Sequence, residues 1–193
     1  MLSDRWDVAH ICIAVDDLDA GMARYAEAFG LEWGPILYYS AEGLVLSPTH
    51  TMPMATCAPG HGEGISMDGL REVWSVNGGT PTASGLPLVP IELAHARDFS
   101  PAYTIWGCPH GQEFVHHIAY WVDDIEAEST KLIEQGWTVE FTAPPGDRLR
   151  GFGYVRSPGG IRIELEDIRR KEPIAKWFAT GTLDLGDAAP PSS

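Results

Sequence analysis

The hydrophobic pattern of the chain alternates between two periods. In "HICIAV" (10–15), Ile11, Ile13 and Val15 fall on one side of an extended segment and His10, Cys12 and Ala14 on the other, because successive side chains of a strand point to opposite faces. The spacing then becomes helical in "DLDAGMARYAEAFG" (17–30), with Asp17 placed to cap the start and Gly30 to end it. Three strand-like runs follow: "LEWGPILYY" (31–39), "LREVWSVNG" (70–78) and "LPLVPIELAHA" (86–96). The predicted order is β-α-β-β-β.

The same order recurs in the second half. "HIAYWVDDIEA" (117–127) lies over "HICIAVDDLDA" (10–20) at an offset of 107, and six of the eleven positions are identical. A helix is predicted in "DIEAESTKLIEQG" (124–136), again between Asp and Gly. Strands follow in "GWTVEFTA" (136–143), "GFGYVRS" (151–157) and "GIRIELEDI" (160–168). Both closing strands carry Ile-Glu-Leu, centred on Glu92 and Glu164. A repeat of this length marks a duplicated structural unit.

These signals divide the chain into a first module (1–96), a linker (97–114), a second module (115–170) and a C-terminal extension with a frayed tail (171–193). The first module is longer, its excess lying in an insert at about 40–69 that is rich in Gly, Pro, Met and His and lacks clear periodicity. Long loops of this kind serve as covers or stay poorly ordered. The linker aromatics Phe99, Tyr103 and Trp106 are expected to pack on the surface.

Composition narrows the function classes. Of 193 residues, 44% are hydrophobic and 21% charged, a globular balance. The formal charge of −14 argues against nucleic acid or an anionic membrane surface as partner and leaves a small-molecule substrate. Three widely spaced cysteines, Cys12, Cys57 and Cys108, suggest neither a disulfide framework nor a Cys-based zinc site, and fit a reduced, cytoplasmic protein. The opening "MLSDRWDVAH" has no apolar signal core, and no apolar run approaches the length of a membrane span. Dinucleotide, P-loop, G-x-S-x-G and HExxH motifs do not occur; "GFGYVRSPGG" reads as a turn-rich hairpin.

The candidate chemistry lies on the strand faces away from the helices. His10 and His117 oppose the branched faces and therefore point into the concave side of a curved sheet. Glu92 and Glu164, each between Ile and Leu, oppose apolar faces in the same way. Buried carboxylates need partners. Two imidazoles and two carboxylates from matched positions suit one divalent metal (Zn, Ni, Co, Mn or Fe) with open positions for water or substrate. His116 has no counterpart, since position 9 is Ala, and reads as packing or hydrogen bonding on the helix side or strand entrance. His50, His61, His95 and His110 read as loop or strand-end residues, with His61 in "GHGEG" the best placed to reach a pocket. Asp16, Asp17, Asp123 and Asp124 read as helix caps.

Two modules that open "H-I-x-x-x-V-D-D-[LI]-[DE]-A" and close on "I-E-L" resemble the vicinal oxygen chelate superfamily, in particular its glyoxalase-like branch. That branch includes methylmalonyl-CoA epimerase and lactoylglutathione lyase. The second half fits almost end to end, and the first at residues 8–39 and 70–96. The resemblance implies an α+β fold in which two βαβββ modules form an eight-stranded, incompletely closed barrel around one metal. The ligands then fall on His10, Glu92, His117 and Glu164. It also implies a lyase or isomerase that chelates vicinal oxygens of a small carbonyl or acyl substrate, with Glu164 or Glu92 moving a proton. Homodimers are common in the superfamily, although nothing in the sequence specifies one.

Two rivals share the fold. An Fe(II) ring-cleaving dioxygenase would use His10, His117 and Glu164, but Glu92 favours lyase or isomerase chemistry. A metal-free binder of hydrophobic antibiotics could line its cavity with tryptophans such as Trp121, yet has no need of the full His/Glu set. Arg148, Arg150 and Arg156 read as surface charges or contacts for an anionic substrate tail, and Arg162 and Glu166 as a rim to Glu164.

Overall fold

The structure is a computed structural model that describes residues 6–40, 43–47, 50–52, 66–77, 89–143, 149 and 151–180. The first module supplies β1 (Asp7–Val15), α1 (Leu18–Phe29), β2 (Leu37–Ser40), β3 (Gly43–Ser47), β4 (His50–Met52), β5 (Leu70–Trp74) and β6 (Ile91–Ala96). A short helix α2 (Tyr103–Trp106) lies in the linker. The second module contains β7 (Glu113–Val122), α3 (Ile125–Glu134), β8 (Thr138–Ala143), β9 (Phe152–Arg156) and β10 (Arg162–Asp167). A 3-10 turn (Ile168–Arg170) then leads into α4 (Lys171–Thr180).

The described strands join one sheet in the order β4-β3-β2-β5-β6-β1-β7-β10-β9-β8. Eight of them form the curled, incompletely closed half-barrel of two βαβββ modules. The hairpin β3–β4, drawn from the insert, extends its first edge. Within each module the first and last strands run parallel, β1 beside β6 and β7 beside β10. The modules meet where β1 and β7 pair antiparallel. The junction therefore places the duplicated first strands side by side, with the closing strands flanking them.

The helices form where the sequence places their signals. Asp17 accepts a hydrogen bond from the Ala20 N–H, and Asp124 accepts one from Ala127. Gly30 and Gly136 take positive φ of 67° and 89° just past the two helices, a conformation that suits glycine. The branched faces receive the helices as expected. Val15, Leu18, Val73 and Leu93 pack with Ile13, Met22 and Tyr25 under α1, and Val122, Ile125, Leu132, Val155, Ile163 and Leu165 pack under α3.

A further cluster fills one end of the concave side: Cys12, Leu70, Ala94, Ala96, Phe141 and Tyr154, together with Ala102 and Trp106 of the linker. Trp106 is fully buried, so the linker is a plug and not only a surface strap. Phe99 departs from expectation in the other direction, being fully exposed at a positive φ of 61°. At another part of the same face, Ala9, Ala119 and Trp121 pack against Ile168 and Ile174. The first turns of the C-terminal extension thus belong to the ordered fold; the tail from residue 181 lies outside the described residues, as do Cys57 and His61 of the insert. Among the described residues, no helix is long and apolar enough to cross a membrane.

Candidate metal centre

His10 and His117 come from β1 and β7, and Glu92 and Glu164 from the strands flanking them. The structure brings the four side chains together. His10 Nε2 lies 2.8 Å from Glu92 Oε2, 3.3 Å from Glu164 Oε2 and 3.1 Å from His117 Nε2. His117 Nε2 lies 2.9 Å from Glu164 Oε2 and 3.5 Å from Glu92 Oε2. All four residues are buried.

Charge and burial oppose one another in this cluster. Burial disfavours the imidazolium of His10, yet the Glu92 carboxylate, with Glu164, raises its pKa to about 10. His117 is raised against the same burial penalty, chiefly by Glu164. Glu92 is held well below the usual carboxylate range by His10, and Glu164 is lowered by His117, each against burial. Two buried carboxylates meeting at one point thus call for a compensating positive charge where the four tips meet.

The donor set fits a divalent metal on its own geometry. His10 Nδ1 and Glu164 Oε1 are buried without a hydrogen-bond partner among the described residues. An unpartnered carboxylate oxygen is costly in so dry a setting. His10, His117 and Glu164 can offer one ligand atom each within 4.8 Å of one another, and mixed imidazole and carboxylate donors suit Zn, Ni, Co, Mn or Fe. Glu92, whose Oε2 lies closest to His10 Nε2, would complete the set.

Several residues around this centre were not legible as site residues. Glu72 of β5 is buried and accepts a 2.8 Å hydrogen bond from the Tyr39 hydroxyl. Burial and the nearby Glu92 raise its pKa well above the usual range. In "LREVW" it alternates with Val73, which packs under α1, and so faces inward. Trp74 lies over His10 with ring centroids 4.6 Å apart, and Tyr154 lies 4.8 Å from the His117 ring.

His116 corrects a premise of the alternation argument. β1 pairs Cys12 with His117 but Ile13 with Val115, so His116 is the extra residue of a β-bulge. The bulge places it beside His117, with the two Nδ1 atoms 2.8 Å apart, and away from the helix-side face. His116 Nε2 lies 2.8 Å from the Ile105 carbonyl oxygen. Burial, reinforced by the adjacent His117, holds the pKa of His116 well below its ordinary value. Cys12, His116 and His117 also offer donor atoms within 4.8 Å of one another.

The other sequence candidates make contacts of their own. Asp16 accepts hydrogen bonds from the His110 ring and the Gly111 N–H, so it ties the linker to β1 and does not cap α1. His95 Nδ1 lies 3.3 Å from the Val15 carbonyl. Arg156 and Arg162 both donate to Glu140, and Arg162 also lies over the Tyr154 ring. Glu166 is buried beside Arg170, its pKa raised to about 7 by burial and by Glu164. Arg148 and Arg150, like the side chain of His50, lie outside the described residues.

A half-barrel of paired βαβββ modules, with histidines on its central strands and glutamates on the flanking ones, is a vicinal oxygen chelate fold. The chain belongs to the Glyoxalase/Bleomycin resistance protein/Dioxygenase superfamily, whose family model matches residues 9–154. Among solved structures, it is similar to a methylmalonyl-CoA epimerase in complex with methylmalonyl-CoA and ammonium, at 22% identity and a TM-score of 0.49, covering 84% of this chain and 94% of that one. A methylmalonyl-CoA epimerase from Mycobacterium tuberculosis aligns at 20% identity and a TM-score of 0.49, covering 83% and 86% of the two chains. No curated protein sequence matches the chain.

Proposed function

We propose that the protein is a metal-dependent glyoxalase-like enzyme, a lyase or isomerase/epimerase acting on a small carbonyl or acyl compound with two vicinal oxygens. The observation that carries this reading is that the Nε2 atoms of His10 and His117 each lie within 2.8 to 3.5 Å of both Glu92 and Glu164, with Glu164 Oε1 left unpartnered among the described residues. These four residues would hold one divalent ion. When bound there, a metal supplies Lewis-acid polarisation that acidifies a carbon beside a carbonyl.

The chain's own carboxylates move the proton. Glu164 is the better placed acceptor, because its Oε1 has a lone pair that no described residue uses. Glu92 approaches from the opposite module and can serve the same role at the other side of a planar carbanion. Glu72, inclined to the protonated state by burial and by Glu92, already holds a proton that it can return to the cluster. Trp74 and Tyr154 flank the two imidazoles and exclude water from them.

The test combines metal analysis with proton exchange. Zinc, nickel, cobalt or manganese should bind at one equivalent per chain. Deuterium should then enter α-acidic carbonyl and acyl compounds from heavy water only in the metal-loaded protein. Indifference to all of these metals would defeat the reading and favour a metal-free binder. Oxygen uptake with a catechol and Fe(II) would favour ring cleavage.

A further inference from the structure

We infer that His116 is a positioning residue that fixes His117 in the tautomer whose Nε2 lone pair faces the four-residue centre. The inference rests on the metal-site reading above and deepens it. The carbonyl of Ile105 can only accept a hydrogen bond. His116 Nε2, 2.8 Å away, must therefore carry a proton. An uncharged imidazole protonated at Nε2 has a bare Nδ1. The contact between His116 Nδ1 and His117 Nδ1, also 2.8 Å, then requires that His117 Nδ1–H donate to His116. The remaining nitrogen of His117, Nε2, is left to point at Glu164, His10 and Glu92. A ligating histidine is ordinarily held through its second nitrogen, which sets ring orientation and basicity.

The duplicated fold supplies an internal comparison. β1 carries its own bulge between Val8 and His10, leaving Ala9 as the extra residue, at the position that corresponds to His116. Alanine has no donor or acceptor in its side chain. Accordingly, His10 Nδ1 is buried without a partner among the described residues, whereas His117 Nδ1 has one. The two histidines of the centre are thus inequivalent by construction. Only the second is braced, and the brace ends on the linker helix, whose Trp106 stacks 6.2 Å from the His116 ring.

Two variants and one spectrum test this. His116→Phe keeps the aromatic contacts but removes both hydrogen bonds. His116→Gln can restore them, its amide oxygen accepting from His117 and its NH2 donating to Ile105. Zinc affinity, measured by competition with a chelator, should fall about 10- to 100-fold in H116F and recover most of that loss in H116Q. In the zinc-loaded parent, nitrogen-15 spectra of the His117 ring should show Nδ1 protonated and Nε2 metal-bound. Equal zinc affinity in the parent and H116F, or zinc on His117 Nδ1, would overturn the inference while leaving the metal site intact. Two zinc ions per chain, with one lost in H116F, would also overturn it by assigning His116 and Cys12 as ligands. A parent protein that binds no zinc would remove the metal-site reading itself, so the two failures are distinguishable. The nitrogen-15 measurement on the parent remains decisive even if H116F does not fold.

Discussion

At the residue scale, His10 shows how a site can be read from physical constraints alone. Its Nε2 has Glu92, Glu164 and His117 all within 3.3 Å, and its other nitrogen has no partner among the described residues. In the metal-free protein, the group raised to about 10 in the fold has an ordinary value near 6.5. A histidine raised on folding contributes stability that is fully present below about 6.5 and is lost as the pH rises through about 10. Thermal unfolding of chelator-treated protein should therefore show a fall in midpoint across this window, and His10→Gln should flatten it. Zinc should also suppress the fall, because the ion replaces the proton as the compensating charge. A midpoint that is the same with and without His10 at every pH would contradict this account. The carboxylates are separable too. Glu164→Gln should weaken zinc binding at least about tenfold, whereas Glu72→Gln, outside the four-residue centre, should leave it within about threefold while slowing deuterium exchange. Equal zinc loss in both variants would place Glu72 among the ligands.

At the element scale, what the sequence made legible was whatever repeats with a fixed period. The matched "HI" openings and "IEL" closings located both pairs of strands, and with them His10, Glu92, His117 and Glu164. The caps were equally legible, since Asp17 and Asp124 each accept from a backbone N–H three residues on. Asp17→Ala and Asp124→Ala should each cost about 1 kcal/mol of stability in denaturant unfolding, whereas Asp123→Ala should cost much less. An effect from Asp123 as large as that from Asp124 would show that the cap assignment is wrong. The bulges at Ala9 and His116 were not legible, because a single extra residue leaves the apolar alternation on either side intact while rotating one side chain. For the same reason His116 read as a helix-side or entrance residue. The β3–β4 hairpin escaped because it adds strands at an edge, where no second face demands an alternating pattern.

At the scale of the whole molecule, the centre exists only because two modules share one face. His10 and Glu92 come from one half and His117 and Glu164 from the other, joined by the antiparallel β1–β7 ladder. The linker reinforces that seam. Trp106 is fully buried among Cys12, Ala94 and Ala96 of the first module and Phe141 and Tyr154 of the second, and its indole N–H donates to the Tyr154 hydroxyl. Tyr154 in turn lies against His117. Removing the indole thus opens a cavity that belongs to both halves at once. Trp106→Ala should lower stability by about 3 to 5 kcal/mol, and it should do so in one cooperative transition seen identically by tryptophan fluorescence and far-ultraviolet circular dichroism. Zinc should still raise the midpoint of the variant, since all four site residues remain, but by less than it raises the parent's, because the wall behind His117 has been lost. Two separated transitions in W106A would show that the modules are independent folding units. The duplication would then have produced neighbours that share a site without sharing a core.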